Sequence, residues 1–195
     1  MREGVNDAAG PGREGVERAK ARPRSPFEDA VAAIIDQWRR ERPDLDPSPI
    51  GVVGRLGRLT VLIDRGLAQN FARYDLTGWE FDVLAALRRS GDPFRLTVGR
   101  LQSTMMISSG TMTHRLDRLE KRGLVERAPD PADRRGVLVQ LTHGGRELVD
   151  EVVGAHLDRE RQLLAGLDGP GQDQLADLLR QLLVHLGDTP DAGQR

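Results

Sequence analysis

The sequence predicts a mainly α-helical protein with a small two-stranded β wing, a winged helix-turn-helix held between long N- and C-terminal dimerisation helices. Three observations predict it. Residues 96–121 hold a short and then a longer helical segment, and in the longer one Met112, Leu116 and Leu119 recur at i, i+4 and i+7. Residues 125–127 and 137–141 read as two short strands around a loop that carries Pro129, Pro131 and Gly136. Long apolar-periodic stretches flank this unit on both sides. A helix-turn-helix followed by a two-stranded wing reads duplex DNA.

Within that unit, Thr97 is suited to cap the short helix, with Val98 and Leu101 facing inward. Ser108 is suited to cap the longer one, its hydroxyl taking up orphan N–H groups. The outward edge of the longer helix then carries Ser109, Gly110, Thr111, Thr113 and His114, with Arg118 one turn beyond. These short polar side chains fit a recognition helix whose N-terminal end meets base edges and phosphates. Gly123 is placed to stop the helix. The loop tip holds Asp133, Arg134 and Arg135. An arginine on a hairpin tip fits the narrow, electronegative minor groove, and an aspartate beside it can steady the guanidinium. Arg135→Ala is therefore expected to cost about 1–3 kcal/mol of operator binding, read by titration at moderate salt.

Composition reads as soluble and globular, and it narrows the chemistry. Apolar residues make up 38% of the chain and charged residues 30%. No apolar run reaches membrane-spanning length and no signal peptide is visible, which places the protein in the cytoplasm, away from membranes. Cysteine is absent, so disulfides, thiolate metal sites and a cysteine redox switch are excluded. The histidines at 114, 143, 156 and 185 lack ligand-like spacing, and neither a metal nor another cofactor is expected. The net charge of −1 hides an asymmetry. Residues 95–135 carry nine Lys/Arg against five Asp/Glu, while residues 141–195 carry five against ten. A basic reading unit is thus joined to an acidic scaffold, and phosphate contact is favoured at one end.

The remaining elements follow in chain order. Residues 1–24 read as a disordered tail. Residues 25–48 form an extra N-terminal helix and linker: Ser25-Pro26-Phe27-Glu28 is a capping box, and Phe27, Val31, Ile34, Ile35 and Trp38 mark one face before Pro43, Pro47 and Pro49 break the helix. A helix over 49–75 turns Val52, Leu56, Leu59, Ile63, Leu67 and Phe71 inward. The winged unit spans 76–141 and opens with a second capping box, Thr77-Gly78-Trp79-Glu80. The helix that follows is apolar almost all round, so Asp82 on it is a buried acid, costly unless paired. Residues 142–187 complete the dimerisation region, with Thr142 capping a long helix and Gly169-Pro170-Gly171 interrupting before a leucine-rich last helix. Two helical segments far apart in sequence, with only a small winged domain between them to cover, favour a homodimer. Residues 188–195 read as a second disordered tail.

Residues 119–127 (LEKRGLVER), Asp133-Arg134-Arg135 and Leu141-Thr142-His143-Gly144-Gly145 together resemble the MarR family of winged-helix regulators over about residues 50–187. The resemblance implies a dimer that usually represses and is released from DNA by a small molecule or by oxidation. It is nearest to the urate-responsive branch, which has an extra N-terminal helix bearing a tryptophan, an aspartate in the helix before the reading unit, and two arginines. Here those settings hold Trp38, Asp82, Arg115 and Arg127. The resemblance thus implies a small anionic, urate-like effector, with duplex DNA and a second copy as partners. The residues themselves allow two readings. Arg115 sits beside the apolar stripe of its helix, and a guanidinium there needs an anion: a ligand, or Asp82 in a permanent salt bridge that also takes in Arg127. No nucleophile–base pair, paired acid/base site or phosphate loop is present, so no enzyme is expected. A helical protein-interaction adaptor would account for the leucine-rich helices but not for the basic wing.

Overall fold

The computed structural model describes residues 28–133 and 136–189. Seven helices and three strands are present among them: α1 (Ala30–Glu41), α2 (Ile50–Phe71), α3 (Gly78–Arg89), β1 (Arg95–Thr97), α4 (Val98–Met105), α5 (Ser109–Lys121), β2 (Val125–Pro129), β3 (Val137–Leu141), α6 (His143–Leu163) and α7 (Gly169–His185). The described residues form two compact units, one ending at Arg55 and the other beginning at Leu56, so α2 belongs to both.

In the first unit, α1 starts later than the sequence predicts. Asp29 is its N-cap, with a carboxylate that accepts the Ala32 N–H at 2.9 Å. Ser25 to Phe27 of the expected capping box lie outside the described residues. The same Asp29 pairs with Arg55 of α2 at 2.7 Å, and Val31 and Ile35 are buried beside Gly54 and Gly51. Glycine at those two positions lets the α1 side chains rest on the α2 backbone. Trp38 stands on the same helix, half exposed.

The second unit holds the main core. Helix α3 runs through it, with Phe81, Val83, Leu84, Ala85, Ala86 and Leu87 buried, as its nearly all-round apolar sequence predicts. Leu101 of α4, Met112, Leu116 and Leu119 of α5, Val139 and Leu141 of β3, and Val149 and Val152 of α6 share this core with Phe71, Leu76, Leu124 and Val125. Each fully buried leucine of this set contributes roughly 2 kcal/mol by removing apolar surface from water. Helix α2 departs from the predicted face. Its C-terminal end is buried at Gly66, Asn70 and Phe71, while Val52 is 58% exposed and Leu59 is also open. The helix carries more apolar positions than its own chain covers.

The sheet also differs from the expected pair of strands. It is antiparallel, in the order β1-β3-β2, so three strands replace two. Residues 95–97 pair with residues 138–140 of β3, where the sequence predicts a short helical segment from Leu96 with Thr97 as its cap. Helix α4 begins only after them, capped by the Thr97 hydroxyl, which accepts the Arg100 N–H at 3.2 Å. Beyond the wing, Thr142 caps α6 as predicted, accepting the Gly145 N–H at 3.0 Å. The break before the last helix lies one step earlier than expected. Asp168 is the N-cap, and Gly169-Pro170-Gly171 form the first turn of α7 rather than an interruption. No residue of α7 is buried, and Leu178, Leu182, Leu183 and Leu186 are exposed in the single chain. No helix among the described residues is long and apolar enough to cross a membrane.

Candidate DNA-reading surface and arginine cluster

Helices α4 and α5 meet at a short turn, residues 106–108. Met106 ends α4 in the left-handed region (φ 50°), its N–H bonded to the Gln102 and Ser103 carbonyls. The turn lets α5 leave α4 sharply while Met112, Leu116 and Leu119 stay in the core. Consequently Ser109, Gly110, Thr111, Thr113 and His114 are exposed along the opposite edge, as the periodicity predicts. Ser108 holds the extended N-cap backbone, but its hydroxyl does not cap the helix. It pairs instead with the Thr111 hydroxyl at 3.1 Å, and Thr113 donates to the Ser109 carbonyl at 3.1 Å. Gly123 stops the helix with φ +68°, a conformation that glycine adopts without strain.

A buried carboxylate fixes the recognition helix from beneath. Glu80 lies in the first turn of α3 and is fully buried. One of its oxygens accepts the Thr77 N–H and hydroxyl, at 2.8 and 2.7 Å, so the predicted capping box is formed. The other lies 2.9 Å from Arg122 and 3.3 Å from Arg118, both on the C-terminal half of the recognition helix or at its cap. Burial pushes the Glu80 pKa up, but the Thr77 and Arg122 hydrogen bonds outweigh it and hold the acid below the usual glutamate range. Its stabilising contribution is therefore complete above the unfolded glutamate value and is lost as pH falls through the lower folded one. The sequence shows the capping box; it gives no sign of the second role, because Arg122 lies 42 residues away.

Trp79, next to Glu80, supplies an aromatic platform. The Arg115 and Arg118 guanidinium carbons stand 5.2 and 5.5 Å from its ring, within cation–π range. Trp79, Arg115 and Arg118 line a cleft of about 420 Å³ together with Gly110, Thr111 and His114. Arg115 is thus half-buried against an indole, sideways to the reading edge, and not within ion-pair distance of Asp82.

Asp82 corrects a second expectation, for it is exposed rather than buried. Its side of α3 lies away from the core that surrounds the next five residues. Even so, the packing close to its carboxyl pushes the pKa up, while the charges of His156, Arg115 and Arg89 pull it down and Asp64 adds to the rise. Arg127 is engaged elsewhere. From β2 it reaches back to the recognition helix, 3.0 Å from Glu120 through Nε and 2.7 Å from Asp117 through Nη2. The Arg127 hydrogen bond holds the Glu120 carboxyl below its usual range. Arg127 also lines a second cleft, of about 520 Å³, between Thr97, Thr113 and Val137. At the wing tip, Asp133 accepts the Gly136 N–H at 2.8 Å through its carbonyl. Arg134 and Arg135 lie outside the described residues.

The chain's relatives give its family. Residues 74–136 match the family model described as the MarR family. The chain is 43% identical over 156 residues to the HTH-type transcriptional regulator PecS of Dickeya dadantii, covering 80% of this chain and 94% of PecS. The chain belongs to the MarR family. The multiple antibiotic resistance protein MarR of Escherichia coli is 37% identical over 112 residues, which cover 54% of this chain and 76% of MarR. Among solved structures, a mutant MarR from E. coli complexed with operator DNA superimposes with a TM-score of 0.64 at 28% identity, covering 75% of this chain and 97% of that one. Sco3205 of Streptomyces coelicolor, a MarR-family regulator in complex with DNA, gives a TM-score of 0.67 at 25% identity, over 73% of this chain and 90% of that one. This protein is accordingly a MarR-family DNA-binding transcriptional regulator, as the residues of its reading unit imply.

Proposed function

We propose that the protein is a homodimeric repressor that binds a pseudopalindromic operator and leaves it when a small anion binds beside the recognition helix. Ser108, Ser109, Gly110, Thr111, Thr113 and His114 read bases and phosphates, Arg118 meets the backbone, and the wing arginines Arg134 and Arg135 enter the minor groove with Asp133 in support. Half-site centres then lie one helical turn apart, roughly 10 bp. The observation that carries the effector is Arg115: a cationic side chain of the recognition helix, stacked on an indole beside an open cleft, with Asp82 out of ion-pair range. A planar anion suits that setting, since it can stack on Trp79 and bond the guanidinium at once. The resemblance to the urate-responsive branch points to the same chemical class.

The anion competes with Asp82 for the charge of Arg115, which acts on that carboxylate from beyond ion-pair distance. Repelling Asp82 and drawing on Arg115 moves the recognition helix off its DNA-ready position. A ligand shifts that balance only by binding the released conformation more tightly. The test is a titration of the protein–promoter complex with urate, followed by mobility shift, for wild type, Asp82→Asn and Arg115→Ala. Asp82→Asn is expected to require more urate for release while binding DNA normally, and Arg115→Ala to weaken urate binding itself. Release of all three at one concentration would show that this cluster is not the sensor. Single-tryptophan variants, Trp38→Phe and Trp79→Phe, separate the two indoles as fluorescence reporters.

Asp82 also makes a stability prediction whose sign follows from its raised pKa. An acid with a raised folded pKa destabilises the native state when ionised, and that penalty disappears as pH falls below the unfolded value. Asp82→Asn is therefore expected to melt no lower than wild type at pH 7, with any gain vanishing in acid. A lower melting temperature at pH 7 would instead mark Asp82 as a structural ion-pair partner.

A further inference from the structure

We propose that Glu80 is a positioning residue for DNA reading: its buried carboxylate and the Trp79 ring together hold Arg118 in the orientation in which that arginine meets the DNA backbone. The inference rests on the reading of Arg118 as a DNA contact. Arg118 is 52% exposed, yet it is gripped on two sides, its Nε 3.3 Å from Glu80 and its guanidinium over the Trp79 indole. Glu80 in turn is fixed by Thr77 and by Arg122, and Arg122 reaches Asp75 at 3.3 Å. The carboxylate cannot turn to solvent without breaking the cap of α3.

Two consequences follow. A buried carboxylate left unpaired is costly, so α5 stays docked at its C-terminal half, where Arg118 and Arg122 meet Glu80. A guanidinium held by its Nε edge and one face has already given up the freedom that an unrestrained surface arginine gives up on binding. It presents its remaining donors to an incoming phosphate in a set direction, which a lysine ammonium cannot reproduce. Glu80 never needs to touch DNA for this to hold.

The experiment measures binding to a duplex carrying the protein's own upstream promoter region across a range of salt, with a random-sequence duplex beside it. Arg118→Ala is expected to weaken binding and to flatten the slope of log K against log salt by about 0.9 for each phosphate that the arginine neutralises. Arg118→Lys restores the slope but not the affinity. Glu80→Gln raises Kd by up to about tenfold with the slope unchanged, which matches the cost of ordering one rotamer-rich side chain on binding. In the Arg118→Ala background, Glu80→Gln adds nothing further, because it acts through the missing arginine. Additive effects would overturn the proposal and make Glu80 a strut of the fold. So would an Arg118→Lys protein that binds like wild type, and this surface variant decides alone if Glu80→Gln does not fold. If Arg118→Ala binds normally at every salt concentration, the DNA contact itself falls, and the proposal with it.

Discussion

Gly145→Ala is expected to destabilise the protein by about 3 kcal/mol, the upper end of what forced overpacking costs. A β-carbon at residue 145 would sit 1.9 Å from the Leu124 carbonyl oxygen and 2.9 Å from its carbon. Both are backbone atoms, so no rotamer relieves the clash. The same carbonyl accepts the Thr142 N–H at 3.2 Å, and the Thr142 hydroxyl donates to the Gly123 carbonyl at 2.7 Å. Moving Leu124 aside therefore strains the joint between the end of the recognition helix and the start of α6. Gly144 is the internal control. A β-carbon there meets nothing within 4 Å, so Gly144→Ala should be neutral or stabilise the helix by up to about 1 kcal/mol. Urea denaturation of the two variants reads the contrast. Equal midpoints would mean that the first turn of α6 yields more easily than its geometry allows.

The second large effect concerns α7. Its leucines lie on the surface of the single chain, with Leu178 57% and Leu186 72% exposed. Leu182→Glu with Leu186→Glu should leave the protomer folded, because neither side chain belongs to its core. If these leucines join two copies, the variant will elute as a monomer of 21.5 kDa. Operator affinity should then fall by about 100-fold or more, since each half-site binds alone. Light scattering gives the mass, and mobility shift gives the affinity. A variant that stays dimeric and binds fully would remove α7 from the interface.

The features legible in the sequence are the local ones. Thr77 and Glu80, Thr97, Thr142 and Gly123 signal helix ends within a turn of themselves, and each performs that role. The Met112, Leu116 and Leu119 stripe likewise fixes which edge of α5 faces outward, and so the candidate reading residues. What the sequence obscures is set by distant partners. Residues 95–97 become a strand only because β3 supplies its ladder, and the Thr97 cap signal lies at the end of that very strand. Asp82 looks buried because nearly every neighbour on α3 is apolar, yet it falls on the helix's one open side. Arg127 shares a family setting with Arg115 and Asp82, but the nearer acids of the recognition helix take it first.

Strand β1 has a consequence for how the protein is made. It leads straight into α4, and its pairing partners extend from Leu138 to Gln140. The first helix of the DNA-reading pair thus hangs from a sheet whose central strand is synthesised last. A chain emerging N-terminus first exposes α3, α4 and α5 with their apolar faces uncovered until residue 141 leaves the ribosome. The loop-closure cost of the β1–β3 pairing must also be met before that pairing returns any stability. A pause in translation with α5 outside the ribosome and β3 still inside it would prolong the interval in which Met112, Leu116 and Leu119 are open to solvent and to other nascent chains. Synonymous slow codons read after α5 has emerged, while β3 is still inside the exit tunnel, should therefore lower soluble yield more than the same codons placed at the start of the gene.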